Sequence, residues 1–369
     1  MGWKRGSDSV KWFLLKKGIR EFRLPYLRAY ANYALFSATH RLEKASGISF
    51  TRHRFLKPSS LLVQINKVCN FSCVFCFVNE LNGNAAKEFD VTPAVFERML
   101  DQPLLNSLLR VGFTGGEPLL HPHLFDYIDK AKRTVPSVTI NTNFALVGRT
   151  VGGERRIDRL NRSSLDLINI SLYEGNVQEI QEFVPQLNNR IYKRLSFVVS
   201  KGKDPFHHFE RMYEVAEMAA GLGFQGLYFQ NFDTMEGVSE QKANLNTMDT
   251  SGFVPVTRDE KYLAIKERVK KDFGDRIAVS YPVAKKAFET KGRRFNCYQP
   301  DFQIGVDGKG SLAPCCNLDR LPEYGNLFTD ENWNNEAFQR IRAGIKRKDV
   351  EPTPYCASCT YLDVNLHDI

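Results

Sequence analysis

Leu61-Leu62-Val63-Gln64-Ile65-Asn66 runs through Lys67-Val68 into Cys69-Asn70-Phe71-Ser72-Cys73-Val74-Phe75-Cys76. The first six residues have the aliphatic character of a short strand buried on both faces. The last eight place three thiols, Cys69-x3-Cys73-x2-Cys76, in a tight loop at that strand's carboxyl end. Three thiolates can hold three irons of a four-iron cluster and leave the fourth iron open to another ligand. A closed structural site takes four protein ligands, and this loop offers no fourth Cys or His at zinc-finger spacing. Zinc or a purely structural role is the alternative.

Outward from this loop, strands and helices alternate. Strands are expected at 61–66, 110–113, 138–141, 167–171, 195–199 and 226–230, with helices between them at 93–100, 123–132 and 209–220. Six strands with intervening helices predict an α/β fold, a partial (β/α)6 barrel, whose reactive groups gather at the carboxyl ends of the strands. The Asn-, Thr-, Ser- and Gly-rich stretch 233–256 reads as a loop, and a charged helix is expected over 258–273. Past residue 291 the pattern turns Gly-rich and cysteine-bearing. Three segments follow: an N-terminal extension at 1–60, a core at 61–290 and a small C-terminal unit at 291–369.

The second motif, Thr114-Gly115-Gly116-Glu117-Pro118, follows the second expected strand, 38 residues after Cys76. Its glycines allow close backbone approach to a ligand, and its carboxylate can accept bonds from an ammonium. Together with the CxxxCxxC loop, it resembles the signature of the radical S-adenosylmethionine (SAM) superfamily. The resemblance implies that Cys69, Cys73 and Cys76 hold a 4Fe-4S cluster and that SAM chelates its open iron. Gly115, Gly116 and Glu117 would then meet the SAM amine. It also implies SAM contacts for Phe75, before the third cysteine, for Asn143 in a turn similar to the family's TNG, and for Ser171. Phe144 replaces the usual glycine of that turn. The implied chemistry is one-electron cleavage of SAM to a 5′-deoxyadenosyl radical, which abstracts hydrogen from a substrate C–H.

Five further cysteines lie near the C-terminus: Cys297, Cys315, Cys316, Cys356 and Cys359. The pattern Cys297-x12-Gly310-x4-Cys315 followed by Cys356-x2-Cys359 resembles the auxiliary-cluster module of radical SAM enzymes, called SPASM or, in its short form, twitch. Ten residues follow Cys359 and none is Cys, so one auxiliary 4Fe-4S cluster is expected, making two clusters in all. A zinc ribbon is the alternative, although such sites pair two CxxC knuckles and only one is present. Cys316 is either a core thiol beside a ligand or a hydrogen-atom donor to a substrate radical, which would give epimerisation.

The net charge of +9 is unevenly placed. Residues 1–60 carry thirteen Lys and Arg against three Asp and Glu, and the rest of the chain carries 38 against 39. Trp3, Trp12, Phe13, Phe22, Tyr26, Tyr30, Tyr33 and Phe36 are interleaved with these cations. Such a segment suits an anionic membrane surface. An acidic protein could use the same charges; nucleic acid is not an expected partner. The reading preferred from sequence is a helical collar, with Leu27, Ala31, Ala34, Leu35, Ala38 and Leu42 forming a face packed on the barrel. No apolar run reaches the ~18–20 residues that span a bilayer, and the start lacks a secretory apolar segment, so a cytoplasmic location is expected, peripheral to the membrane at most.

The function expected from these residues is radical SAM oxidation of a sugar, an aminocyclitol or a lipid-linked glycan, with a flavodoxin- or ferredoxin-type electron donor. The alternatives are an epimerase, a peptide-modifying radical SAM enzyme, or a non-enzymatic iron–sulfur or zinc sensor. The sensor reading leaves Gly115-Gly116-Glu117-Pro118 without a purpose.

Overall fold

Strand β1 (Ser60–Asn66) buries Leu61, Val63 and Ile65 completely, as an interior strand of a parallel sheet must. The computed structural model describes residues 20, 23–46, 56–73, 76, 87–201, 204–231, 259–282, 297–315, 320–329, 333–347, 349–351, 353 and 356. Helix α1 (Tyr26–Ser46) precedes β1. After it come α2 (Pro93–Leu100), β2 (Arg110–Gly115), α3 (Leu124–Ala131), β3 (Ser137–Thr142) and a short hairpin, β4 (Thr150–Val151) with β5 (Glu154–Arg155). Then follow α4 (Arg156–Arg162), β6 (Leu167–Ser171), α5 (Val177–Phe183), β7 (Tyr192–Val199), α6 (Met212–Gly221) and β8 (Gly226–Asn231). The remainder is α7 (Glu260–Phe273), β9 (Ala278–Ser280), α8 (Gln299–Phe302), β10 (Gln303–Val306), β11 (Leu312–Ala313) and α9 (Glu336–Lys346).

Local chemistry sets the helix starts. Thr92 caps α2 by accepting from the Val95 N–H, with Pro93 in the first turn, and Phe96 and Met99 then face the sheet. Asp259 and Asn335 cap α7 and α9 in the same way. The strands form one sheet in the order β11-β10-β1-β2-β3-β6-β7-β8-β9. From β1 through β2, β3, β6 and β7 to β8 each strand of this sheet pairs in parallel with its neighbour, which is the winding of a partial barrel, while β4 and β5 stand apart as the antiparallel hairpin. All six strands expected from the sequence are present. Three more extend the sheet, β9 beside β8 and β10 with β11 beside β1; at two to four residues each they are too short to show a period in the sequence.

The amino ends of the strands are closed by buried polar ties. The Lys132 ammonium donates to both Asp166 oxygens at 2.9 Å and to the Pro136 carbonyl, while Asp166 also accepts from the Val138 N–H at 2.8 Å. Helix α1 lies across this end. Tyr26 donates to the Lys132 carbonyl at 2.7 Å, and Asn32 donates to the Lys57 carbonyl and to Ser59 Oγ at 2.9 Å. Phe36 packs on Phe302 and Tyr298, and His40 meets the Tyr298 ring edge-on.

Here the structure corrects the sequence reading. The face of α1 expected to pack on the barrel is turned outward, with Leu27, Leu35 and Leu42 between 47% and 57% exposed. The buried face is the opposite one, with Tyr26, Ala29, Phe36, Thr39, His40 and Glu43. The buried face mixes apolar and polar residues, and it is the ring contacts of Phe36 and the Tyr26 hydroxyl bond that hold it inward. The expected loop over 233–256 lies wholly outside the described residues. Among the described residues no helix is long and apolar enough to cross a membrane.

Asp166→Ala would leave the Lys132 ammonium buried without its counter-charge. The expected loss is about 3–5 kcal/mol of stability, read as a lower urea midpoint. Replacing both residues with apolar side chains of similar volume should recover most of it.

Candidate active site

The carboxyl ends of β1, β2, β3 and β6 converge on the cysteine loop. At the end of β2, the Gly116 N–H donates to the Asn66 carbonyl at 3.0 Å and the Glu117 N–H to the Val68 carbonyl at 2.8 Å. The Asn66 side chain returns a bond to the Glu117 carbonyl at 2.9 Å. The turn thus lies flat against residues 66–68, immediately before Cys69. Only glycine permits this. Gly115 has φ +141°, and a Cβ there would sit 2.3 Å from the Asn66 carbonyl oxygen; at Gly116 it would sit 2.0 Å from that of Val68.

Glu117 is fully buried, and its carboxylate faces the protein. Oε1 accepts from the Leu119 N–H at 2.9 Å and from Thr142 Oγ1 at 2.6 Å, and Oε2 accepts from the Asn143 N–H at 2.7 Å. Burial pushes its pKa up to about 7, against these three donors, which favour the ionised form. Glu117 therefore clasps the end of β2 to the end of β3, while an ionised carboxylate keeps acceptor capacity beyond three bonds.

Asn143 continues the clasp. Its side-chain amide donates to Asn70 Oδ1 at 2.9 Å and lies 3.8 Å from Cys69 Sγ, inside the cysteine loop. Its carbonyl accepts from Asn176, whose amide also donates to the Ser171 carbonyl at 2.8 Å. Phe144 is the finding at this turn. It takes φ 63°, the left-handed conformation a glycine would adopt freely, and its ring is completely buried. The turn is kept without the glycine, and burial of the ring offsets the ~1–2 kcal/mol cost of the left-handed backbone.

Burial pushes the Cys73 thiol up to about 12, with the neighbouring Cys76 and Cys69 charges adding to it. Burial also raises Cys69, partly countered by the Phe71 N–H that points at its sulfur. Among the described residues no group of three or more His, Cys, Asp or Glu side chains converges on one point as a single metal ion requires. Three part-buried thiols whose charges repel one another are a donor set that fits a cationic multi-iron cluster with one iron left open. Tyr173 donates to the Cys73 sulfur and also bonds the Ser171 side chain. Its ring meets Phe71 and His207, and His207 is held by Asp204 at 2.7 Å.

The structure therefore gathers Cys69, Cys73, Cys76, Gly115, Gly116, Glu117, Asn143 and Ser171 into one region. The sequence reading gave no role to Asn70, Tyr173 or Asn176, and named Thr142 only as part of the TNG-type turn; these residues lie at or shortly beyond strand ends, where side-chain amides and hydroxyls tie neighbouring turns together. Phe75, Cys316 and Cys359 lie outside the described residues. Of the second cysteine set, Cys356 is buried, with its N–H on Thr353 Oγ1 at 3.3 Å, and Cys297 packs at the edge of the same core.

The family profile of the Radical SAM superfamily matches residues 63–244, and that of the SPASM iron–sulfur cluster-binding domain matches residues 297–360. This is a radical SAM protein with a SPASM domain. Its cofactors are SAM and iron–sulfur clusters. The radical SAM chain is 22% identical to the PqqA peptide cyclase of Xanthomonas euvesicatoria pv. vesicatoria over 325 residues, 84% of this chain and 82% of that relative. It is 26% identical to a probable GTP 3′,8-cyclase of Thermoplasma volcanium over 150 residues, which spans 43% of that relative. SuiB of Streptococcus suis, solved with S-adenosylmethionine or with its precursor peptide SuiA, shares the fold at TM-scores of 0.52 and 0.53 and 14% identity. Those alignments cover 84% and 82% of this chain and 69% and 67% of SuiB.

Two outcomes test this geometry. Phe144→Gly restores the glycine of the TNG-type turn, yet it should destabilise the protein by about 2–3 kcal/mol, since the lost ring burial outweighs the relieved backbone. The raised Glu117 pKa means the folded chain holds this proton more tightly than the unfolded one. Its contribution to stability is full below about pH 4.5 and is lost as pH rises through about 7. Urea midpoints of the metal-free protein should show this decline, and Glu117→Gln should abolish it.

Proposed function

We propose that this radical SAM enzyme uses Cys69, Cys73 and Cys76 to hold the SAM-cleaving cluster and acts on a peptide. The observation that carries the substrate class is the likeness to the PqqA peptide cyclase, which runs through the barrel and the C-terminal unit alike. SuiB, with a precursor peptide bound in one of its structures, has the same fold. The peptide alternative is therefore preferred to oxidation of a sugar, aminocyclitol or lipid-linked glycan.

When bound, the cluster supplies the electron that splits SAM into methionine and a 5′-deoxyadenosyl radical. The chain's own residues prepare the place for it. Gly115 and Gly116 keep the turn low enough to leave room over Cys69. Glu117, Asn143 and Asn176 fix that turn to the two strand ends beyond it. The Tyr173 hydroxyl favours the thiolate form of Cys73 by donating to its sulfur. In this proposal Cys297, Cys315, Cys356 and Cys359 would hold one auxiliary cluster, which would supply an electron acceptor, and a flavodoxin- or ferredoxin-type protein would be the reductant.

Anaerobic iron and sulfide reconstitution, followed by dithionite and SAM, should release 5′-deoxyadenosine, and Cys69→Ala should abolish the release. If the reduced protein shows no spectral change with SAM and no cleaved nucleoside, the proposal fails at its first step. Cross-linking would appear as a peptide lighter by a pair of hydrogens, without solvent deuterium. Deuterium uptake from heavy water, lost in Cys316→Ala, would instead assign epimerisation.

A further inference from the structure

Among the described residues six large apolar side chains stand exposed, and four of them, Leu24, Leu27, Leu35 and Leu42, belong to α1 or to the turn that leads into it. At 100° per residue, Leu27, Leu35 and Leu42 fall with Ala31, Ala34 and Ala38 in one stripe about 100° wide along the outer face. Arg41 borders one side of the stripe and Arg28 the other, and Arg23 stands just before the helix, all exposed. The helix belongs to the segment with thirteen cations against three anions, while the rest of the chain is balanced at 38 against 39. An apolar stripe edged by arginines matches the boundary of an anionic bilayer, where leucines enter the acyl region and guanidinium groups meet headgroup phosphates. A balanced acidic and basic body would not attract such a surface by itself.

We infer that α1 seats the protein on anionic membranes through the outer face carrying Leu27, Leu35 and Leu42. The inner face cannot serve, because Tyr26, Phe36 and His40 hold it to the barrel. The seat also has a direction. Tyr26 and Asn32 tie α1 to the amino ends of the strands, while the cysteine loop leaves the carboxyl end of β1, seven residues and about 23 Å away. A protein resting on α1 opens its active site toward the aqueous side, where a soluble peptide can enter.

Co-sedimentation of the full chain with vesicles tests this, using phosphatidylcholine alone and phosphatidylcholine mixed with phosphatidylglycerol. The expected result is retention on the mixed vesicles only, falling as salt rises. L27E/L35E/L42E and R23Q/R28Q/R41Q should each weaken it, the latter by about fivefold for each arginine removed. All six positions are exposed, so both variants should keep the wild-type thermal midpoint and the wild-type release of 5′-deoxyadenosine. Absence of retention at low salt overturns the inference. So does retention that neither variant weakens, or a concentration-dependent dimer that L27E/L35E/L42E dissolves, which would assign the face to a second copy.

Discussion

The contact on which the site depends is the close approach of two backbones, residues 66–68 against Gly115-Gly116-Glu117. A Cβ at either glycine would overlap a carbonyl oxygen at 2.3 Å or less, so the approach exists only because no side chain is there. Once the two segments lie together, the Glu117 side chain is buried. Thr142 and the Asn143 N–H bind it, Asn143 reaches Asn70 beside Cys69, and Asn176 closes the circuit to Ser171. Four strand ends and the cysteine loop are thereby one polar network around a buried carboxylate. Partial satisfaction of such a network would cost more than its absence, because each orphaned donor would remain in a water-poor environment.

Much of this was legible in the sequence because it rests on local rules. Aliphatic runs gave the six main strands, and the helix expected over 93–100 has those bounds in the structure. The cysteine spacing and the double glycine located the site, since such residues act through their own backbone or their own sulfur. The unread part depends on partners distant in the chain. Nothing near Glu117 says that its carboxylate will meet residues 142 and 143, and nothing near Tyr173 says that its hydroxyl will find Cys73. Phe144 shows the reverse case: the motif's glycine is missing, yet the left-handed turn persists, because a buried ring can hold a backbone conformation that intrinsic preference resists.

Helix α1 exposes a limit of periodicity as evidence. A helix with an apolar stripe normally packs that stripe inward, and the six positions from Leu27 to Leu42 form such a stripe. The opposite side carries a mixed set, Tyr26, Ala29, Phe36, Thr39, His40 and Glu43, whose aromatic rings and hydroxyl find specific partners at Tyr298, Phe302 and Lys132. Directional contacts go with the face that packs inward, although the outer stripe is the more hydrophobic of the two. The outcome divides the molecule into a chemical end and a seating end, at opposite ends of the same strands.

Strand β10 lies in parallel register on β1, with Ser60 to Val63 opposite Gln303 to Val306. The C-terminal unit is therefore stitched into the sheet as well as appended to it. Removal of everything after residue 302 would strip the outer edge of β1 of its ladder partner and bare a row of unpaired peptide groups on the most aliphatic strand in the chain, an invitation to edge-to-edge association. The segment that carries the second cysteine set thus doubles as a guard strand for the one that delivers the first.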